Sequence, residues 1–466
     1  MDSNEKSNKG DQVIVTSGAR KGYLQAFIAV VSLFFVWGFI TVFVDSLVPR
    51  LREVFEIGYG TSGLFQTAFF LAYGIIAIPA GILISKTGYK KGIIIGLGTM
   101  AAGCLLYSPA ASFRFFGLFL LAFFVVAGGM TILQVAANPY ISVLGKEKTA
   151  SARLNLAQAF NSLGTAIAPM LGAILILSDN IKTGEEIQVL DAVDKSEYFA
   201  QEASAVSGPF LALAGALVVL AVIFMFIRLP KVLGSDREGD AAKSGFKGFV
   251  QALKFPQLRL GALGIFVYVG AEVAIGTYAV SYFVDMNLME AVMQNDFCRS
   301  IVTSFHGDEI SNIDPKGIMG LFVAYYWTGA MIGRFLGAGL TYVMKPSVVL
   351  TIFATGVLAC LGISAGTTGL TSMWSLLAIG LFNSIMFPTI FTLAIDGLGA
   401  LKAQGSGVLC SAIAGGAAIP PLFGLVTDWS DSFKVAMIVL VVCYAYIGFY
   451  GYWFKRRKAS EALSAG

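Results

Sequence analysis

Two carboxylates stand where a carboxylate is expensive. Asp45 in "FFVWGFITVFVDSLVP" and Glu272 in "FVYVGAEVAIGTY" lie inside long apolar runs. An ionised side chain there needs water, a cation or a charged partner, and a desolvated one without these takes up a proton. Either behaviour couples a cation to the work of the chain, so Asp45 and Glu272 are read as cation-coupling residues. They are also the candidate ligands of a bound metal ion, sodium. The plainer alternative is a pair of buried hydrogen-bonding groups or, for Asp45, a place near the outer interface, since Arg50 and Arg52 follow it.

A second set of polar residues consists of amides: Gln134, Asn138, Asn155, Gln158, Asn161 and Asn383. An amide both donates and accepts hydrogen bonds without carrying a charge that must be desolvated, which suits a neutral, hydroxyl-rich substrate. Gln134 and Asn138 are four residues apart and Gln158 and Asn161 three apart, so on helices each pair shares a face. Gln134, Gln158, Asn161 and Asn383 are the substrate-binding candidates. Asn138, beside Pro139, and Asn155, near a helix end, read as structural. Aromatic side chains offer flat surfaces to the C–H face of a sugar ring, and Phe35, Trp37, Tyr268 and Tyr325 are the candidates, with Tyr73, Tyr278 and Trp327 as further stacking surfaces. Each serves equally well as packing.

These residues need long apolar helices to hold them. Hydrophobic residues make up 56% of the 466, charged residues only 13%, and the mean hydropathy is +0.77, which excludes an ordinary soluble enzyme. Runs long enough to cross roughly 30 Å of hydrocarbon as helix fall near 24-49, 60-84, 92-111, 115-143, 152-177, 208-229, 259-284, 317-342, 347-366, 372-395, 404-427 and 433-454. An all-α membrane protein with twelve transmembrane helices is therefore expected. Lys and Arg collect in the N-terminal tail 1-23, at Lys86, Lys90 and Lys91, around 146-153, in the 228-259 stretch and in the C-terminal tail 455-466. That bias places both termini in the cytoplasm. The tail "MDSNEKSNKGDQVIVTSGAR" has no signal-peptide pattern. The outer loops 179-207 and 285-316 collect acidic residues and carry no motif that names a partner.

The polar linker 231-256 separates an N-terminal six-helix domain, 24-230, from a C-terminal one, 257-454. Sequence echoes join the two: Ala72, Tyr73 and Gly81 reappear at near-constant offset as Ala324, Tyr325 and Gly333, and Gly164 and Pro169 as Gly415 and Pro420. Aligning Pro139 with Pro388 sets Gln134 opposite Asn383. Repeated helical halves are expected to rock about a site near the bilayer midplane. Gly81, Lys86, Gly88, Lys90 and Lys91 form a tight, basic gating or positioning turn, without the spacing of a phosphate loop. The five cysteines have no metal-ligand spacing, and the only histidine, His306, has no catalytic companions. No enzyme and no cofactor is expected. The partners are a monosaccharide and membrane lipids, with no nucleic acid, and a monomer suffices.

The segments "FFVWGF", "VDSLVP", "GILISKTGYKKG", "LQVAANPYISVLG", "ARLNLAQAFNSLGTAIAP", "YVGAEVAIGTY" and "GRFLG" together resemble the major facilitator superfamily, and within it the fucose/glucose/galactose:cation symporters. The resemblance covers about 24 to 454, although Ser85 stands where the superfamily loop often has aspartate. It implies the major facilitator fold with two pseudo-symmetric six-helix bundles, and sugar uptake by alternating access across a bacterial inner membrane. It carries Asp45 over as the acidic coupling residue, Gln158 and Asn161 as sugar contacts, and Arg334 of "GRFLG" as a gating or structural residue. Fucose:proton members carry a titrating glutamate where this chain has Gln134, an amide that cycles no proton. With Glu272 resembling the glucose/galactose branch, the expectation is sodium symport of glucose, galactose or mannose. A proton-coupled fucose or hexose symporter is the alternative, and a sugar-sensing receptor without transport is the alternative of another class.

Overall fold

The computed structural model describes residues 17–45, 47–48, 51, 59–176, 189–227, 229–230, 245–306 and 315–464. Arg50, Arg52, most of the N-terminal tail, the 231–244 part of the linker and the 179–188 and 307–314 parts of the outer loops lie outside them. The first half of the chain folds as α1 (Ser17–Asp45), α2 (Tyr59–Thr87), α3 (Tyr89–Phe113), α4 (Phe116–Val143), α5 (Ala150–Ile176) and α6 (Ala192–Phe226). A short α7 (Phe246–Ala252) precedes α8 (Pro256–Asp285), and α9 (Met289–Gln294) and α10 (Asp296–His306) build part of the long acidic loop. Then come α11 (Pro315–Val343), α12 (Pro346–Gly366), α13 (Gly369–Asn383), α14 (Met386–Ala394), α15 (Lys402–Ser411), α16 (Gly415–Ser430) and α17 (Phe433–Ser464).

Backbone polar groups in hydrocarbon must be satisfied within their own segment, which is why the apolar runs become helices. Among the described residues ten helical stretches are long and apolar enough to cross a membrane, with α13–α14 and α15–α16 each making one interrupted span. The other two long helices, α5 and α11, have 27 and 29 residues. At about 1.5 Å per residue both are long enough to cross, but they carry Arg153, Asn155, Gln158 and Asn161, and Arg334, respectively. Pro256 and Pro346 open α8 and α12 at the first helical turn, where their missing N–H is no loss.

The same packing scheme occurs twice. In the first half α1 packs on α5, α2 on α4, and α3 on both α4 and α6. In the second half α8 packs on α16, α11 on α13, and α12 on both α13 and α17. Small residues set the closest approaches, as is usual where helices meet in a membrane. A Cβ at Gly38 of α1 would collide with the main chain of Asn161, and one at Gly164 of α5 with the carbonyl of Phe35. The sequence echo between Gly164 and Gly415 is repeated in space, because Gly415 sits as tightly against the carbonyl of Phe266 on α8.

The halves meet along one end of the bundle. Gly81 of α2 faces Ala403 and Gly407 of α15, Ser406 Oγ donates to the carbonyl of Val135 at 3.0 Å, and Ser411 Oγ to that of Gly74 at 3.2 Å. On the other side of the seam Asn155 Nδ2 reaches Thr389 Oγ1 at 3.4 Å and Gly337 lies against Asn155 and Ile385. Phe249 of α7 inserts its ring between Gly81 and Gly407, one glycine from each half. Among the described residues these contacts between the halves lie away from the helix ends that carry Asp45 and Asp285.

A Gly164→Leu variant should lower the thermal midpoint in detergent, because the α1–α5 contact has no room and overpacking costs about 1–3 kcal/mol. Gly98→Leu, at a position with nothing within 4 Å of an added Cβ, should leave it within error. Equal losses in the two variants would contradict this packing.

Candidate functional site

Each half contributes a phenol–amide pair. Gln134 of α4, 8% exposed, donates Nε2 to Tyr73 Oη of α2 at 2.6 Å. Asn383, at the last turn of α13, donates Nδ2 to Tyr326 Oη of α11, also at 2.6 Å. Gln134 and Asn383, set opposite one another by sequence, thus make the same bond to the helix that corresponds in each half. Tyr325, which the sequence echo sets opposite Tyr73, turns elsewhere: it is exposed and packs on Phe322 and on the edge of Trp374. The neighbouring Tyr326, fully buried, holds the amide instead.

Glu272 lies near the middle of α8, half-buried, and accepts the hydroxyl hydrogen of Tyr268, one turn earlier, at 2.8 Å. Tyr326 and Arg334 of α11 and Tyr444 of α17 are near enough to act electrostatically on this pair. Among the described residues Glu272 closes no ion pair. The Arg334 guanidinium is spent elsewhere, donating to Ser162 Oγ of α5 and, at 3.4 Å, to the carbonyls of Gln158 and of Ser384 in the break between α13 and α14. It joins the two halves beside the amides of α5.

Asp45 is the last residue of α1, exposed, with the buried Tyr107 of α3 within electrostatic range. The two carboxylates therefore share the first helix of their halves but not the same depth. Asn161 donates Nδ2 to the carbonyl of Phe34 at 2.9 Å, tying α5 to α1, while the Gln158 amide makes no side-chain bond among the described residues. Trp37, 4% exposed, packs on Phe34, and Phe35 is half-buried. Asn138 and Pro139 are buried on α4, where Asn138 leaves both amide atoms without partners and lies beside Cys410 of the second half. Asn155 leaves its oxygen unpaired.

The basic turn is split in function. Gly88 holds φ +82 where the chain passes from α2 to α3, and Lys90 Nζ caps α6 through the Met225 carbonyl at 2.8 Å. Lys86 and Lys91 are exposed, whereas Gly81 belongs to the seam. Sequence reasoning missed Ser162, Tyr326, Ser384 and Arg153. Ser162 was within reach, four residues from Gln158 on one helix face. Arg153 closes off the end of α4 by donating to the carbonyls of Ile141 at 3.1 Å and Lys146 at 2.9 Å; only the fold brings these together.

Comparison with known proteins identifies the family. The model of the Major Facilitator Superfamily matches residues 26–421. A glucose/galactose transporter of Brucella abortus is 44% identical over 93% of this chain and 95% of its own, and the L-fucose-proton symporter of Escherichia coli is 34% identical over 92% and 93%. The solved E. coli fucose:proton symporter superimposes with a TM-score of 0.81 at 31% identity, covering 93% of this chain and 99% of that one. A second structure of that symporter, in the outward conformation, superimposes equally well. The chain belongs to the major facilitator superfamily, in its glucose/galactose/fucose symporter branch. It is an integral multi-pass transporter and not an enzyme.

The expectation of sodium as coupling ion, with Asp45 and Glu272 as its ligands, is overturned. The related symporters that are identified by their ion, at 34% identity and at a TM-score of 0.81, use protons. Among the described residues no three His, Cys, Asp or Glu side chains come together as a metal site. The charged group that acts on Glu272 is the Arg334 guanidinium, itself a cation, which opposes a second cation at the same carboxylate.

Tyr326→Phe should leave Asn383 Nδ2 buried without its acceptor, a penalty of about 1–3 kcal/mol, readable as a lowered thermal midpoint. Tyr325→Phe should not shift it. The reverse ranking would mean that the phenol–amide pair is wrongly assigned.

Proposed function

We propose that the chain imports a neutral monosaccharide, a hexose or fucose, by proton symport through alternating access. The observation that carries this reading is the pair of phenol–amide contacts, one from each half, flanking a helix that presents Gln158 and Asn161. Neutral donors and acceptors are matched to hydroxyls and ask for no counter-charge. Glucose/galactose transporters at 44% identity and fucose–proton symporters at 34% identity support the substrate class and the proton.

Gln134, Gln158, Asn161 and Asn383 then contact or orient the sugar, and Phe35, Trp37, Tyr268 and Tyr325 provide apolar walls or support them. Asp45 and Glu272 carry the coupling proton: Asp45 at the mouth, where it meets water, and Glu272 at mid-helix. Two domains of six helices, 24-230 and 257-454, rock about the site with the linker 231-256 between them. With both termini in the cytoplasm of a bacterial inner membrane, as the Lys and Arg bias favours, the seam between the halves lies on the inner side. One chain contains both halves of the site, so a monomer is enough.

In sodium-free proteoliposomes an inward proton gradient should drive accumulation of at least one sugar of a panel of glucose, galactose, mannose and fucose. Collapse of the gradient by a protonophore should abolish accumulation and spare counterflow. Glu272→Gln should reproduce that split permanently, with exchange retained and concentrative uptake lost. Accumulation insensitive to the protonophore, or saturable binding without counterflow, would sink the symport reading.

A further inference from the structure

Arg334 is the charged residue that joins the sugar-lining helix of one half to the carboxylate-bearing region of the other. From α11 its guanidinium reaches Ser162 Oγ and the Gln158 carbonyl on α5, and the Ser384 carbonyl at the break between α13 and α14. The last bond is significant because Asn383, one residue away, anchors the second phenol–amide pair. All three acceptors are neutral. Glu272 is near enough for the Arg334 charge to act on it, yet it is bonded to Tyr268 rather than to the guanidinium.

The charged and titratable groups facing Glu272 are few. Tyr268 lies on its own helix, Arg334 and Tyr326 come from α11, and Tyr444 comes from α17. The α13–α14 region brings the neutral amide of Asn383, and the Asp428 carboxylate of α16 sits instead beside Tyr278, nearer the end of α8. Arg334 is thus the one cation among them. A charge-assisted hydrogen bond is roughly twice as strong as a neutral one, and in a site of low polarity a carboxylate and a guanidinium attract strongly. An ionised Glu272 therefore competes with Ser162 and the two carbonyls for the same guanidinium, and a protonated Glu272 does not.

We propose that Arg334 is a positioning residue that couples the proton to the sugar: with Glu272 neutral it straps α5 to the α13–α14 break and sets the sugar site, and with Glu272 ionised it is drawn off that strap. The reading rests on proton symport. It places the link between the ligands in a side chain that bridges the halves, and it gives a way for a proton held in the second half to be felt at Gln158 and Asn161 in the first. Gln134 then needs no titration of its own. The proton enters from water onto a Glu272 carboxylate oxygen and leaves to water on the other side, with no bond made or broken elsewhere.

Linkage requires that if the proton and the sugar are coupled, sugar affinity changes with pH by the coupling factor. The test is the binding of galactose, or of whichever panel sugar gives counterflow, to the detergent-solubilised full chain at pH 5.5 and pH 8.5. Wild type should bind about tenfold more tightly at the acid pH, within the usual range of about 5–150-fold. Glu272→Gln should bind with the acid-form affinity at both. Ser162→Ala, which removes one strap acceptor and leaves every charge in place, should shrink the ratio, and Arg334→Met should bring it to about one. A wild-type ratio in Ser162→Ala overturns the strap even if Arg334→Met fails to fold, because a guanidinium that only touches sugar, or only stabilises the bundle, does not need Ser162. The symport reading fails separately, by an absence of proton-driven uptake in wild type.

Discussion

Removing a polar group from water without giving it a partner costs about 1–3 kcal/mol in a protein, and hydrocarbon offers no partners at all. The polar side chains of this chain have largely found their partners across helix boundaries. Gln134 uses Tyr73, Asn383 uses Tyr326, Asn161 uses the carbonyl of Phe34 and Arg153 uses the open end of α4, while Glu272 uses Tyr268 on its own helix. Two tyrosine hydroxyls, of Tyr107 and Tyr444, and several amides are the exceptions, and the amides gather near the seam. Asn138 and Gln404 each leave two amide atoms unpaired, and Asn155 and Asn383 leave one oxygen each. Closing the seam over these amides opposes the apolar burial that drives it shut. A carrier that rocks between two states requires such opposition, since only a small free-energy difference lets a ligand shift the balance.

Much of this was legible in the sequence because the relevant patterns are long. Apolar run length fixed where helices lie, and the echo of Gly164 and Pro169 in Gly415 and Pro420 anticipated the repeated contact of α1 with α5 and of α8 with α16. Matching Gln134 with Asn383 led directly to two equivalent pairs. Shorter-range features were not legible. Tyr325 and Tyr326 are adjacent, and a rotation of about 100° per residue on a helix decides which one faces Asn383; an alignment one residue out of register chooses the wrong ring. Ser384 became visible as an acceptor only because the span breaks there, and no proline or glycine in 383–385 marks the break.

The coupling ion shows a different limit. Replacing a titrating carboxylate by Gln134 argues against a proton only if that position is the sole place where a proton can be carried. A count of carboxylates along the chain cannot say what surrounds them. Around Glu272 the fold places the donating hydroxyl of Tyr268 and, from another helix, the Arg334 guanidinium, and no three His, Cys, Asp or Glu side chains gather there among the described residues. The ligand set of a cation site is a property of several helices at once, and one helix in a sequence carries no trace of the others.

The two helices least suited to hydrocarbon, α5 and α11, are the two that face one another across the seam, and this is more than coincidence of composition. A helix that lies against lipid in every state must be apolar, whereas one that faces protein in the closed arrangement and a water-filled path in the open arrangement needs groups tolerable in both. Amides, hydroxyls and glycines meet that condition, and so does an arginine whose acceptors are main-chain carbonyls that any rearrangement can replace with water. The other contact between the halves, α2 with α15, has a different composition: Gly81, Gly407 and the Phe249 ring close it by shape. Both sides have close packing and hydrogen bonds to carbonyls, but the α5–α11 side also carries a cation bonded across the seam. Packing is indifferent to charge, so of the two sides the one with Arg334 is the one on which a change of charge nearby would bear.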